Sequence, residues 1–285
     1  MRLKSKIGLL LFDAPVRAGF GSFLIAAAYF SFLDIASFTE TSISYGFCLF
    51  SLLIVALKYD QYAYTSQGFL IGVINGLSIS LGFYFESIGH LHLVAFTRYV
   101  FVISSFHISE FIVIALTNRL TLKRDSFLLN HSVEYWMAAA ASWAEFAFET
   151  RFTPGIYSNT LSQCGLVICI IGEVIRKTAM IQASGAFTHL VATSRTSGHH
   201  LVTNGLYNYM RHPGYVGWFL WSIGTQITLC NPFCFISYAY VTFQFFNDRI
   251  YDEEKYLVEF FGQKYMRYQA AVPVGIPFIT GFSRR

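Results

Sequence analysis

The stretch LVTNGLYNYMRHPGY, residues 201–215, decides how this chain is read, together with a second stretch from Arg249 to Pro277. The first is polar and rich in turn formers, and it stands just before a pair of short hydrophobic segments. The second follows that pair and carries Arg249, Glu253 and Glu254. A hairpin of two hydrophobic segments returns the chain to the side it left. The two stretches are therefore predicted to fold together at one membrane surface.

Upstream, the composition is that of a membrane protein. Of 285 residues, 54% are hydrophobic and 13% charged, whereas a soluble domain has about 25% charged residues. A mean hydropathy of +0.48 and a net charge of only +4 argue for an all-α, polytopic membrane protein. They argue against a soluble domain and against a nucleic-acid binder. Cys48, Cys164, Cys169, Cys230 and Cys234 lie in or beside apolar segments, with no CxxC pair and no accompanying histidine cluster. They read as small apolar side chains, not zinc ligands. The apolar run Gly8 to Phe12 is too short for a signal-peptide core, so the first long segment is expected to act as an uncleaved signal.

A spanning helix needs about 20 mainly apolar residues. Eight segments are candidates, near residues 17–37, 43–58, 64–84, 92–116, 130–149, 158–182, 214–229 and 232–248. Asn231-Pro232 divides the last two. Proline cannot continue the helical hydrogen-bond ladder, so a tight helical hairpin is predicted there. With a cytosolic N-terminus, all 20 lysines and arginines except Arg98 and Arg151 fall on the cytosolic side. That asymmetry supports this orientation, with both termini and both polar stretches cytosolic.

Arg98, Glu110, Glu134, Glu145 and Glu173 fall inside spans. Ions in a bilayer are costly; they tie helices together or line a polar cavity. The cavity reading is preferred for one pair only, His131 and Glu134 in NHSVEY, at the cytosolic start of the fifth span. From Arg176 to Tyr215 a loop of about 40 residues is expected, far longer than ordinary connections. Its histidines, among them His189, His199, His200 and His212, lack convincing metal-ligand spacing. After the hairpin, Leu257, Phe260, Phe261, Tyr265 and Tyr268 recur at three- and four-residue steps. That pattern predicts a helix lying in the membrane interface, ended by VPVGIPF.

In RHPGYVGW the chain turns from loop into helix. A helix start presents free N–H groups to an anionic ligand group, and Arg211, His212, Tyr207 and Tyr215 add donors and aromatic surface. The same residue types also serve as interfacial anchors. Arg249 and Glu253, four apart, share one helix face. They form either a simple ion pair or part of a site that the hairpin returns beside RHPGY.

LVTNGLYNYMRHPGYVGWFLWSIGTQ, with RIYDEEKYLVEFFGQKYMRY and VPVGIP, resembles the isoprenylcysteine carboxyl methyltransferase family. The likeness is close over about residues 170–280, and SFLLNHSVEYW extends it to about residue 126. RHPxYxG alone is less specific, because membrane sterol reductases and phospholipid N-methyltransferases carry related pieces. The first hundred residues resemble the family only as membrane spans. The resemblance implies an enzyme of the endoplasmic reticulum membrane. It would use S-adenosyl-L-methionine to methylate the C-terminal carboxylate of a prenylated cysteine, leaving S-adenosyl-L-homocysteine. Its partners would be CaaX-processed prenylated proteins such as Ras-like small GTPases, and membrane lipid. Residues 1–125 would supply N-terminal spans and 126–285 the catalytic region, in one integrated domain.

The cofactor pocket implied by the resemblance takes Ala192, His199, His200, Leu201, Val202, Tyr207, His212, Pro213, Gly214, Tyr215 and Glu253. Arg249 falls at the family's substrate-carboxylate arginine, and His131 and Glu134 are expected on the substrate side. A C-terminal carboxylate has a pKa near 3.5 and is already ionised at neutral pH. In-line displacement then needs no general base. Whether Glu253 meets the cofactor's ammonium or its ribose stays open. An NADPH-dependent sterol reductase, a phospholipid N-methyltransferase and a lipid-binding scaffold or transporter are the competing readings. The chain shows no GxGxxG and no internal repeat of the kind transporters carry.

Overall fold

The computed structural model describes residues 13–32, 64–129, 132–187, 191–194 and 200–283, and the regular elements among them are helical. The expected span 43–58, His131 and His199 lie outside the described residues. The long helices are α1 (Ala14–Ser31), α2 (Tyr64–Ser87), α3 (Leu91–Thr117), α4 (Val133–Phe152), α5 (Asn159–Ala183), α6 (Pro213–Leu229) and α7 (Pro232–Phe261). The short α8 (Gln263–Ala271) follows. Among the described residues, α2 and α3 are long and apolar enough to cross a membrane on those grounds alone. Outward-facing Trp136, Met137, Trp143 and Phe148 on α4, and Val167, Ile170, Ile171 and Val174 on α5, give these helices an apolar exterior as well.

Proline starts α6 and α7, in the first turn where its missing N–H has no helical partner. Between them, Cys230 takes a left-handed conformation and Asn231 bonds back to the Ser142 carbonyl on α4 and to Gln226. Glu145 of α4 accepts from the first free N–H groups of α7, at Phe233 and Cys234, over 2.7 and 2.6 Å. A carboxylate is well placed there, against the positive end of the helix.

Two expectations are corrected. α5 runs on to Ala183, so Arg176 and Lys177 are helical, and the long connection begins only at residue 184. The helix predicted by the Leu257–Tyr268 spacing is present and ends before VPVGIPF, but it is divided at Gly262 between α7 and α8. α7 continues unbroken for 30 residues to Phe261 and stops at Gly262, which has φ +53°. Nothing in DRIYDEEKYL breaks a helix, so the span and the charged segment after it form one rod.

α5 and α6 cross in close contact at two glycines. A Cβ on Gly172 would lie 2.6 Å from the Gly217 carbonyl oxygen, and one on Gly217 would lie 2.6 Å from the Arg176 backbone nitrogen. Beside this crossing, Arg176 is only 1% exposed and donates to both oxygens of Glu110 on α3, over 2.6 and 3.1 Å. Lys177 pairs with Glu110 and Glu173. Arg98 donates to Asn159 and Ser162. Most of the charges inside the helices thus tie helix to helix.

The crossing gives a test. Gly172→Ala is expected to cost about 3 kcal/mol by overpacking against backbone, read as a lowered thermal midpoint in detergent. Gly21→Ala, where a Cβ meets nothing within 4 Å, is expected to leave the midpoint unchanged. Equal midpoints for the two variants would mean that the crossing yields to a methyl group.

Candidate active site

The two polar stretches do meet. The backbone N–H groups of Arg211 and His212 donate to the carbonyls of Pro273 and Val274, over 2.8 and 3.1 Å. The chain after α8 thereby packs against the start of α6. Phe246 and Ile250 of α7 form a buried cluster with Val274, Ile276 and Ile279.

Beneath this junction lies a polar hub that the sequence did not assign. Glu254 is 0% exposed. One of its oxygens meets Arg211, His212 and Tyr265; the other meets Arg211, Gln269 and the Phe282 N–H. Arg211 has further contacts to the carbonyls of Gln269, Val272 and Thr280. A guanidinium has five N–H donors, and these five acceptors occupy them. Arg211 is therefore not a spare donor for an anionic ligand, which corrects that part of the motif reading.

Above the hub opens a cavity with about 950 Å³ of empty space, part of it solvent at the mouth. Its walls include Ala192, His200, Leu201, Val202, Tyr207, His212, Gly214, Tyr215 and Glu253, all expected from the sequence. Pro213 sits between two wall residues as the first residue of α6. Sequence reasoning missed Phe187, Val191 and Tyr256 in the wall. It also sent Leu257, Phe260, Phe261 and Tyr268 to the membrane interface, whereas they line the cavity. The helical spacing was the available signal, but it does not say what the apolar face covers. Glu134 stands exposed in the first turn of α4 and is not among the wall residues.

Short-range contacts fix the walls. Gln182 of α5 accepts from the Leu206 N–H at 2.8 Å and anchors the turn Gly205–Asn208. Tyr268 of α8 donates to the Tyr207 carbonyl. Burial pushes the Tyr268 phenol up to about 12, and burial likewise raises that of Tyr207, with Glu253 adding to it. Both phenols are then neutral donors at physiological pH. Tyr215 stacks between His212 and Phe246. Its hydroxyl donates to Glu253 and accepts from Arg249 Nε at 3.0 Å. A carboxylate in the cavity wall and a half-buried arginine beside it are thus joined through one phenol.

Three comparisons place this arrangement among known proteins. Residues 165–259 match the model of the isoprenylcysteine carboxyl methyltransferase (ICMT) family. The protein-S-isoprenylcysteine O-methyltransferase of Tribolium castaneum is 46% identical over 225 residues, covering 79% of each chain. That of Homo sapiens is 44% identical over 232 residues, covering 81% of this chain and 80% of its own. A solved eukaryotic intramembrane Ras methyltransferase, ICMT, superposes with a TM-score of 0.80 at 39% identity, over 94% of this chain and 98% of that one. By class, then, the protein is an integral membrane methyltransferase. The chain belongs to the isoprenylcysteine carboxyl methyltransferase family.

The hub carries an acid-stability prediction. Burial alone would raise the Glu254 carboxyl, but the contacts with His212 and Arg211 outweigh it and hold the group below its ordinary 4.5. A depressed carboxyl stabilises the fold above its unfolded-state pKa, and that stability is lost as pH falls through the folded value. Thermal midpoints are therefore expected to drop below pH 4.5. Glu254→Gln, which leaves Arg211 buried and unpaired, is expected to cost about 3–5 kcal/mol at neutral pH and to flatten the acid limb. An acid limb equally steep in the variant would assign it to other carboxyls.

Proposed function

We propose that the chain methylates the C-terminal carboxylate of prenylated cysteine on CaaX-processed proteins, Ras-like small GTPases among them, in the endoplasmic reticulum membrane. S-adenosyl-L-methionine, when bound, supplies an electrophilic sulfonium methyl and departs as S-adenosyl-L-homocysteine. The observation that carries this reading is the Arg249–Tyr215–Glu253 chain of hydrogen bonds at the cavity wall.

The cavity's donor set fits that cofactor. Aromatic faces at Phe187, Tyr215, Tyr256 and Phe260 suit a flat base and a cation. Glu253 offers a carboxylate to the ammonium or the ribose, and His200, Leu201, Val202 and Ala192 close the loop side. Arg249 is assigned to the substrate carboxylate. The Tyr215 hydroxyl and the rings of Tyr215 and Phe245, 5.7 and 5.8 Å from its guanidinium carbon, position it. Charge-assisted bonds from Arg249 orient the ionised carboxylate in line with the methyl group. Because opposite charges cancel along the reaction, excluding water from the pair favours it.

Both termini and the cofactor cavity are assigned to the cytosolic side, with about eight spans beneath. Residues 126–285 are the catalytic region, joined to the N-terminal spans of 1–125 as one domain. Glu134 is assigned to the substrate side, as is His131, which lies outside the described residues. The prenyl tail, worth about 0.8 kcal/mol per buried CH₂ in the bilayer, enters laterally between helices.

Methyl transfer from labelled cofactor to N-acetyl-S-farnesylcysteine by purified protein tests the reaction, and no transfer would overturn it. Arg249→Ala is expected to lower kcat about 100-fold or more, while the cofactor's Kd stays near wild type. Glu253→Gln is expected to weaken cofactor binding about tenfold, or roughly 1.4 kcal/mol. Equal loss of cofactor binding in both variants would remove the division of roles.

The lateral route has its own test on α4, where Ala138 is half-buried and Ala141 exposed. Trp at either position is expected to raise KM for the prenyl substrate several-fold and to leave that for the cofactor unchanged. Unchanged constants for both would place the entrance elsewhere.

A further inference from the structure

A smaller cavity lies at the other end of the bundle. Its walls come from the first turn of α3, the end of α4, the connection into α5 and the end of α6. They include His92, Phe146, Glu149, Thr150, Tyr157 and Cys230, around about 370 Å³ of empty space that includes solvent at the mouth. α5 has 25 residues and runs from this end to the cavity near Tyr207. At 1.5 Å per residue the two cavities stand roughly 35 Å apart, and they share no wall residue.

Glu149 is the unexplained group here. It is 8% exposed, and its Oε1 is buried without a hydrogen-bond partner among the described residues. A carboxylate oxygen withdrawn from water is costly unless a donor or a cation meets it. The arginines at this end are directed elsewhere, Arg98 to Asn159 and Ser162 and Arg151 over the Phe152 ring, and the His92 ring in the wall meets that of His90 edge-on. One turn back on the same face, Glu145 uses both oxygens on the first N–H groups of α7. Two carboxylates therefore sit together at this end, and one of them lines a cavity that also holds aromatic rings and threonine hydroxyls.

We propose that this cavity binds an alkylammonium group. Glu149 accepts its N–H donors or balances its charge, and the Phe146 and Tyr157 rings pack against its carbons. Among the described residues no three His, Cys, Asp or Glu side chains converge as a metal-ligand set, which favours an organic cation. The space accommodates a group of ethanolammonium size. Such a group arrives either as the head of a membrane phospholipid or as a free amine from water.

The test compares thermal midpoints of the full-length protein in nanodiscs. One set contains phosphatidylethanolamine; the matched set contains the same lipid with its nitrogen acylated and uncharged. A third arm titrates ethanolammonium chloride into protein in detergent, against sodium chloride. A midpoint several degrees higher with the charged lipid, lost in Glu149→Gln, supports a headgroup site. A response to soluble ethanolammonium, also lost in the variant, supports a free-amine site. Equal midpoints in both lipids together with no response to ethanolammonium overturn the proposal, as does a variant that responds like wild type. Glu149→Gln is expected to retain methyl transfer within twofold, which reports that it folds. For a measurement that needs no substitution, wild-type protein is photolabelled with a phosphatidylethanolamine that carries a diazirine beside its free amine. Crosslinks are expected within residues 146–157; crosslinks confined to other segments overturn the headgroup site.

Discussion

A guanidinium withdrawn from water at Arg176 sets the terms for the rest of the fold. A buried cation is tolerated only with a counter-charge and with its remaining donors satisfied. Glu110 reaches across from α3 with both oxygens, and the Gly214 carbonyl at the start of α6 takes a third bond at 3.3 Å. The indole of Trp218 lies 4.7 Å from the guanidinium carbon. These contacts hold together only if α3, α5 and α6 keep one register. The close crossing at Gly172 and Gly217 lets α6 come near enough. Such a network adds less to net stability than its contacts suggest, because the ions give up hydration to form it. Its consequence is positional: the first turn of α6, which carries Gly214 and Tyr215 of the cavity wall, is held to the middle of the bundle.

The same logic recurs at Arg211 and Glu254 and leads to a division of labour between adjacent acids. Successive residues on a helix point about 100° apart, at 3.6 residues per turn. Glu253 and Glu254 therefore face different surroundings from one stretch of α7. Glu254 turns inward and closes the hub; Glu253 turns to the cavity and meets Tyr215. Because the hub holds Arg211 and His212 by both backbone and side chain, the stacked pair His212–Tyr215 is carried on a rigid base. The link to Arg249 passes through that pair. In this sense the structural arginine sets the position of Arg249, to which the substrate carboxylate is assigned in the proposed function.

Much of this was legible in the sequence, for identifiable reasons. Helix ends were readable where proline forces them, as at Pro213 and Pro232; the break at Gly262, inside the Leu257–Tyr268 pattern, was not. The cavity wall from His200 to Tyr215 was readable because its residue types cluster in one resemblance-bearing stretch. Partners far apart in the chain were not. For Arg176, the carboxylate that makes it a buried helical residue lies 66 positions earlier, beyond the reach of any local pattern. Arg211 and Arg249 look alike in one dimension, and only the five acceptors around Arg211 separate them. Leu257, Phe260 and Phe261 form an apolar stripe that would suit lipid as well as a cavity. A helical period reports that a face is covered, not what covers it.

The continuity of α7 bears on how two dissimilar reactants are brought together. Its first half turns Phe233, Ile236, Tyr240, Val241 and Phe245 outward, an apolar flank suited to lipid. Its last turns contribute Glu253, Tyr256, Leu257 and Phe260 to the cavity wall. Arg249 stands between these regions, four residues before Glu253, or about 6 Å along the axis. Because the helix is unbroken, that spacing is a property of the rod and does not depend on a loop closing. Under the proposed function, a lipid-anchored carboxylate sliding along the apolar flank would meet Arg249 before the cavity, and a charged cofactor entering from water would meet Glu253 first. The short distance between the two side chains, bridged by the Tyr215 hydroxyl, is the distance over which the two proposed entrances would have to converge.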